Sequence, residues 1–151
     1  MRSVRVLMMI AVLLFAVKIG GEIRVRAQAG CSLQSVNGAY AYAVRGGYVG
    51  DQFGDIFDFS EVGRFVADGN GSISATATIS DNETISRGVK FTGTYIANDD
   101  CTGTMTFRDA NNRVFANMDI VVANNGKDLN LIEADRGTNI AGEARQQFPA
   151  Q

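Results

Sequence analysis

The chain contains no histidine. That removes the commonest general base and zinc ligand, and with it Ser-His-Asp and Cys-His catalysis within one chain. Carboxylates, tyrosines and two cysteines are left to do chemistry. Two carboxylates can share acid–base work, as in glycoside hydrolysis. Here, however, most aspartates fall in turn-like clusters: Asp68, Asp81, Asp99, Asp100, Asp109 and Asp135. An aspartate in a turn binds nearby backbone, so a structural role is expected of these. Asp68-Gly69-Asn70-Gly71-Ser72 opens like a calcium loop. An EF-hand needs Gly at its sixth place and Glu at its twelfth, and Ile73 and Ile79 stand there instead. A hairpin turn is the expected reading. Asp51, Asp55 and Asp58 form a looser acidic set, at most a weak calcium site. No metal site and no cofactor are expected. Glu133, or a buried tyrosine, is the acid–base candidate if the chain is an enzyme.

The cysteines, Cys31 and Cys101, are spaced for neither a redox CxxC nor a zinc site. In an oxidising compartment such a pair bonds, and a disulfide is expected. The amino terminus points to that compartment. Arg2 and Arg5 precede the uncharged apolar run Val6 to Val17, and Ala27-Gln28-Ala29 suits a signal peptidase. The run is too short for a membrane helix, which needs roughly 20 residues. A signal helix over residues 1–29 is therefore expected, cleaved before Gly30, with the mature chain secreted or periplasmic and touching membrane only through that signal. The alternatives are an uncleaved membrane anchor and a lipid anchor at Cys31. Gln28 stands where a lipoprotein signal has a Leu-like residue, which disfavours the lipid anchor.

Five of the 14 basic residues and one of the 16 acidic residues precede Gly30, leaving nine and fifteen, a net charge of −6. The charges are scattered singly and make no basic patch, so nucleic acid is not an expected partner.

The elements that must position these groups are strands. Short alternating runs separated by turn clusters recur along the chain, the pattern of a sandwich or barrel. The eight runs are Gly38 to Val44, Phe57 to Ala67, Ser72 to Ser80, Gly88 to Ala97, Thr102 to Arg108, Arg113 to Val122, Asp128 to Ala134 and Asn139 to Gln146. Their inward faces are read as Tyr40/Tyr42/Val44, Ile73/Ala75/Ala77/Ile79, Val89/Phe91/Gly93/Tyr95, Met105/Phe107, Val114/Ala116/Met118/Ile120/Val122 and Leu129/Leu131. The second run alternates poorly, and the direction of Arg64 stays open. A meander of eight strands leaves two bare edges unless it closes. The expected fold is all-β, an eight-stranded antiparallel up-and-down barrel over residues 30–147 with a tail at 148–151. A two-sheet β-sandwich is the alternative.

Several segments carry a resemblance: Val62-Gly63-Arg64-Phe65 with Asp68-Gly69-Asn70-Gly71, Phe91-Thr92-Gly93-Thr94-Tyr95, Asp100-Cys101-Thr102-Gly103-Thr104, and Gly142 to Gln146. Over nearly the whole mature chain they resemble a group of small secreted bacterial proteins of unknown function. The architecture is similar to allene oxide cyclase and lipocalin barrels at the level of fold. The lipocalin Gly-x-Trp is missing, since the chain has no Trp, and none of the cyclase's active-site residues can be matched. Fold analogy thus implies little about activity.

The barrel-facing residues Tyr42, Phe91, Tyr95, Phe107 and Met118 are the expected ligand contacts if the interior is hollow. The Gly46 to Phe59 segment reads as a long aromatic connection, with Tyr48, Phe53 and Phe57 as a lid or plug over the mouth. The leading expectation is a non-enzymatic barrel that binds a small apolar ligand. The others are an isomerase or cyclase with its acid–base group in the cavity, and a structural or adhesive surface module marked by an exposed apolar patch. Nothing in the sequence fixes the oligomeric state.

Overall fold

The computed structural model describes residues 30–50 and 55–149. The expected signal segment, Asp51 and Phe53 lie outside the described residues. Eight antiparallel strands follow one another around a closed barrel: β1 (Asn37–Val49), β2 (Ile56–Asp68), β3 (Ser72–Asp81), β4 (Thr84–Ala97), β5 (Thr102–Arg108), β6 (Val114–Ala123), β7 (Asp128–Glu133) and β8 (Thr138–Pro149). β8 returns to β1, with Gly142 opposite Val44, and closes the sheet. No edge is left bare, and the sandwich alternative falls.

The period of two decides which side chains fill the interior. Tyr40, Val44, Ile73, Ala75, Ala77, Phe91, Tyr95, Met105, Met118, Ile120, Val122, Leu129 and Leu131 are all buried, as the alternation predicts. The outward partners on β3 and β4, such as Ser74, Thr76, Lys90, Thr92 and Thr94, are exposed. Arg64, left open by the sequence, points outward and is exposed.

Three hairpin turns gather at one end of the barrel with the amino-terminal segment, and that end is sealed. Cys31 bonds to Cys101 in the β4–β5 turn across a sequence separation of 70. In the chain-entropy picture a closed loop of that size contributes about 4 kcal/mol. The 3-10 turn Leu33–Ser35 then lays Val36, fully buried, across the bottom. Two tyrosines anchor it. The Tyr95 hydroxyl sits 2.7 Å from the Val36 carbonyl and 3.0 Å from that of Leu33. The Tyr40 hydroxyl donates to the Gly126 carbonyl, and its ring stacks on Phe65 at 4.9 Å. Burial pushes the Tyr40 hydroxyl up to about 12, with the neighbouring Tyr95 adding to it.

The β2–β3 turn is the expected hairpin. Asp68 Oδ1 accepts from the backbone N–H of Asn70 and of Ser72, and Gly69 supplies the positive φ of 76°. Asp100 and Asp109 hold their turns the same way, accepting from Thr102 N and from Asn111 and Arg113 N. No calcium loop forms there. Among the described residues no group of three or more His, Cys, Asp or Glu side chains could hold a metal.

Three boundaries differ from the sequence reading. β4 starts at Thr84 instead of Gly88, pairing from there with Asp81 of β3. Gly46 and Gly47 do not open a long connection. They continue β1, pairing with Phe59 and Asp58, and the ladder runs on to Val49 opposite Ile56. A side chain at Gly47 would meet the Phe57 carbonyl at 2.8 Å, so this glycine marks a close backbone approach. The connection shrinks to residues 50–55. At the other end of the chain, β8 passes the expected stop at Gln146. Phe148 and Pro149 pair with Ala39 and Gly38 after a bulge.

Candidate functional site

The interior is filled in one half and hollow in the other. Above the sealed floor, a cavity of about 650 Å³ opens at the end opposite the disulfide. Its floor and walls are apolar: Phe65, Met105, Met118, Leu131, Ile140 and Ile79. Phe91 and Phe107 stand edge to face at 5.5 Å on one wall. Phe115 joins them, edge on to Phe91 at 5.4 Å. Plain alternation from Ala116 and Met118 would turn Phe115 outward. The β5–β6 register slips at this point, Phe107 facing Ala116 but Arg108 facing Val114, and Phe115 is the extra residue of the bulge. A bulge re-aims a side chain, and here it brings an aromatic ring to the mouth.

The opposite wall is acidic. Glu61, on β2 between Val44 of β1 and Ile79 of β3, points inward and is only 7% exposed. Its Oε1 accepts a hydrogen bond from the Tyr42 hydroxyl. Gly63 makes that contact fit: it lies across from Tyr42, and a Cβ there would come within 2.7 Å of the Tyr42 ring and hydroxyl. Burial pushes the Glu61 carboxyl above the ordinary 4.5, against the bond from Tyr42, which pulls it down. Burial and the adjacent carboxylate raise the Tyr42 hydroxyl far above its usual range. Glu133, at the end of β7, faces the same space half-buried. Its carboxyl is raised by burial first, then by the charges of Asp135 and Glu61.

Nearer the rim, the donors are already spoken for. The Tyr48 hydroxyl donates to Asp81 at 2.8 Å. The backbone and side-chain nitrogens of Asn117 both donate to the Asp135 carboxylate, each at 2.8 Å. Asp81 and Asp135 therefore do more than close their turns, unlike Asp68, Asp100 and Asp109. Arg136 is exposed at the mouth and is the lining base among the described residues.

Of the residues expected to contact a ligand, Tyr42, Phe91, Phe107 and Met118 line the cavity. Tyr95 does not; its hydroxyl is bound into the sealed end. Tyr48 lines the mouth, but from β1 instead of a loop, and Phe57 packs on it from β2 at 5.4 Å. Glu61 and Phe115 went unnoticed in the sequence. Extending the period of two back from Ala67 and Phe65 through Gly63 puts Glu61 on the inner face with Phe59 and Phe57, which was the signal available for it. Phe115 had none, because the bulge depends on the partner strand.

Among the described residues no helix is long and apolar enough to cross a membrane, and Cys31 is held in the disulfide. Comparison of the chain with protein-family models, with curated proteins and with solved structures gave no match.

Proposed function

We propose that this is an exported, non-enzymatic carrier barrel whose open half takes up one small, largely apolar ligand. The single observation that carries the reading is the cavity. Its roughly 650 Å³ falls inside the range of about 300–1,000 Å³ usual for small-molecule sites. Apolar and aromatic walls with a few convergent polar groups are the usual lining of such sites. Export rests on the amino-terminal pattern of Arg2, Arg5 and the Val6 to Val17 run, and the Cys31–Cys101 bond fits an oxidising compartment. The same bond occupies the thiol that a lipid anchor would need. The likeness to allene oxide cyclase and lipocalin barrels supports the reading only through shared architecture.

The test is titration of the oxidised protein with the neutral fluorophore N-phenyl-1-naphthylamine. Saturable binding with enhanced emission, competed by other apolar molecules, is expected. Absence of binding overturns the reading.

One observation favours a second reading. A buried carboxylate held by a tyrosine in a cavity, with its carboxyl raised, is the arrangement expected of an acid–base isomerase or cyclase. Turnover of an epoxide or enone panel that is lost in Glu61→Gln would move the assignment from carrier to enzyme.

A further inference from the structure

The cavity's hydrogen-bonding groups are lopsided, and the imbalance specifies a ligand. Among the described residues four carboxylates line it, Glu61, Asp81, Glu133 and Asp135, against one guanidinium, Arg136, out at the mouth. The hydroxyls of Tyr42 and Tyr48 and the amide of Asn117 each already donate to one of those carboxylates. Asp135 is satisfied at both oxygens by these bonds, and Asp81, at the rim, at one. Glu61 is satisfied at one oxygen and Glu133 at neither. Among the described residues nothing donates to Oε2 of Glu61 or to either oxygen of Glu133. Nor is any of these atoms sealed away from solvent, since no buried side-chain oxygen lacks a partner. The free oxygens therefore meet the cavity. Glu133 feels the charge of Glu61 as well as its own burial, and Glu61 is raised by its burial.

An incoming anion finds no uncommitted donor below the rim and meets two uncommitted negative charges. A neutral acceptor finds no donor there either. A group that brings its own N–H donors and a positive charge satisfies both, with charge-assisted hydrogen bonds. Across the cavity, Phe91, Phe107 and Phe115 offer ring edges and faces to an apolar or aromatic body. We propose that the ligand is an organic amine: an ammonium group seated between Glu61 and Glu133, carried on an apolar or aromatic body that fills the space against the phenylalanine wall. This rests on the carrier reading above and specifies its occupant.

The test uses full-length oxidised protein, N-phenyl-1-naphthylamine as reporter, and three competitors of one shape: 4-phenylbutylamine, 4-phenylbutanol and 4-phenylbutyrate. At about pH 8 the amine is expected to displace the reporter at a concentration about tenfold or more below that of the alcohol, with the carboxylate weakest. The readout is the amine-to-alcohol ratio within each protein. In Glu61→Gln it is expected to fall towards one. If that variant does not fold, Glu133→Gln at the half-exposed partner gives the same readout. In the wild-type protein the ratio is expected to shrink as pH is lowered and Glu61 and Glu133 take up protons. Asp81 and Asp135, Tyr42 and Tyr48, and Arg136 face the same space. A ratio that stays flat down to about pH 4, below the ordinary glutamate value of about 4.3, would therefore take the role from Glu61 and Glu133 and overturn the proposal. Equal competition by the amine and the alcohol, or stronger competition by the carboxylate, overturns the amine while leaving the cavity standing. No reporter binding at all removes both.

Discussion

Tyr42→Phe isolates the one hydrogen bond that supports the buried carboxylate. The substitution keeps the ring, which packs beside Phe65 at 5.8 Å, and removes only the hydroxyl that donates to Glu61. A bond to an ionised group contributes about 1.5–3 kcal/mol, and a bond between neutral groups about 0.5–1.5 kcal/mol. Glu61 is ionised in alkaline solution and protonated in acid, so the cost of losing the donor should depend on pH. At about pH 8 the variant should lose about 1.5–3 kcal/mol. With a urea m-value of about 1.5 kcal/mol/M, that moves the unfolding midpoint down by about 1–2 M. At about pH 4 the shift should be half as large or less. Linkage gives the same sign. Without Tyr42 the Glu61 carboxyl rises further, and a carboxyl raised in the folded state costs stability as pH increases. The assay is urea unfolding of wild type and variant at both pH values with the disulfide intact. Equal losses at the two, or a larger loss in acid, would refute the claim that the Tyr42 hydroxyl holds the charge of Glu61.

Other outcomes follow from the same geometry. Gly63→Ala puts a methyl group 2.7 Å from the Tyr42 ring and the Thr76 carbonyl, and should cost about 1–3 kcal/mol as an overpacked site, read by thermal melting. The double variant Cys31→Ala/Cys101→Ala removes the staple over a separation of 70 residues and should cost about 4 kcal/mol, measured by urea unfolding against the oxidised parent. Wild-type stability should peak in mild acid. It falls as pH rises above about 4.5, because Glu61 and Glu133 are raised and the folded state gives up their protons later than the unfolded chain. It also falls below about 3.8, because Asp68, Asp100 and Asp109 are held low by the backbone donors of their turns and must be protonated there. Melting temperatures across the range, with Glu61→Gln flattening the alkaline limb, check both halves. Phe115→Ala, at a residue 47% exposed, should weaken reporter binding while changing stability by no more than about 1 kcal/mol.

The barrel was legible because its signal is redundant. Ile73, Ala75, Ala77 and Ile79 alternate against Ser74, Thr76 and Thr78, and each neighbouring strand repeats the pattern in the register the hairpins impose. The sealed end was half legible. The two cysteines announced a bond, but nothing in sequence revealed that Tyr40 and Tyr95 would donate their hydroxyls to a floor of backbone carbonyls. That took Tyr95 out of the expected ligand set. The acidic wall was least legible. On β2 the inner face reads Phe57, Phe59, Glu61, Gly63, Phe65, while the outer face offers Val62 and Val66, both exposed. The hydrophobic contrast between the faces is therefore weak, and a binding wall is where such a violation is expected. Gly46 and Gly47 misled for a related reason. Glycine is a turn residue by composition, and only the neighbouring backbone revealed that it served close packing within a strand.

The sealed floor has a consequence for motion. The disulfide, the 3-10 turn and both anchoring tyrosines lie at one end, while the mouth is framed by connections that no covalent link joins. Local opening draws on the least tethered parts of a fold. Amide protection should therefore be graded along the barrel axis, slowest to exchange around Val36, Tyr40 and Met105 and fastest at the rim strands near Val49, Ile85 and Val114. A ligand could then enter and leave through fluctuations of the rim alone, at an energy well below that of global unfolding, so that exchange of cargo and persistence of the fold are separate events in the same chain.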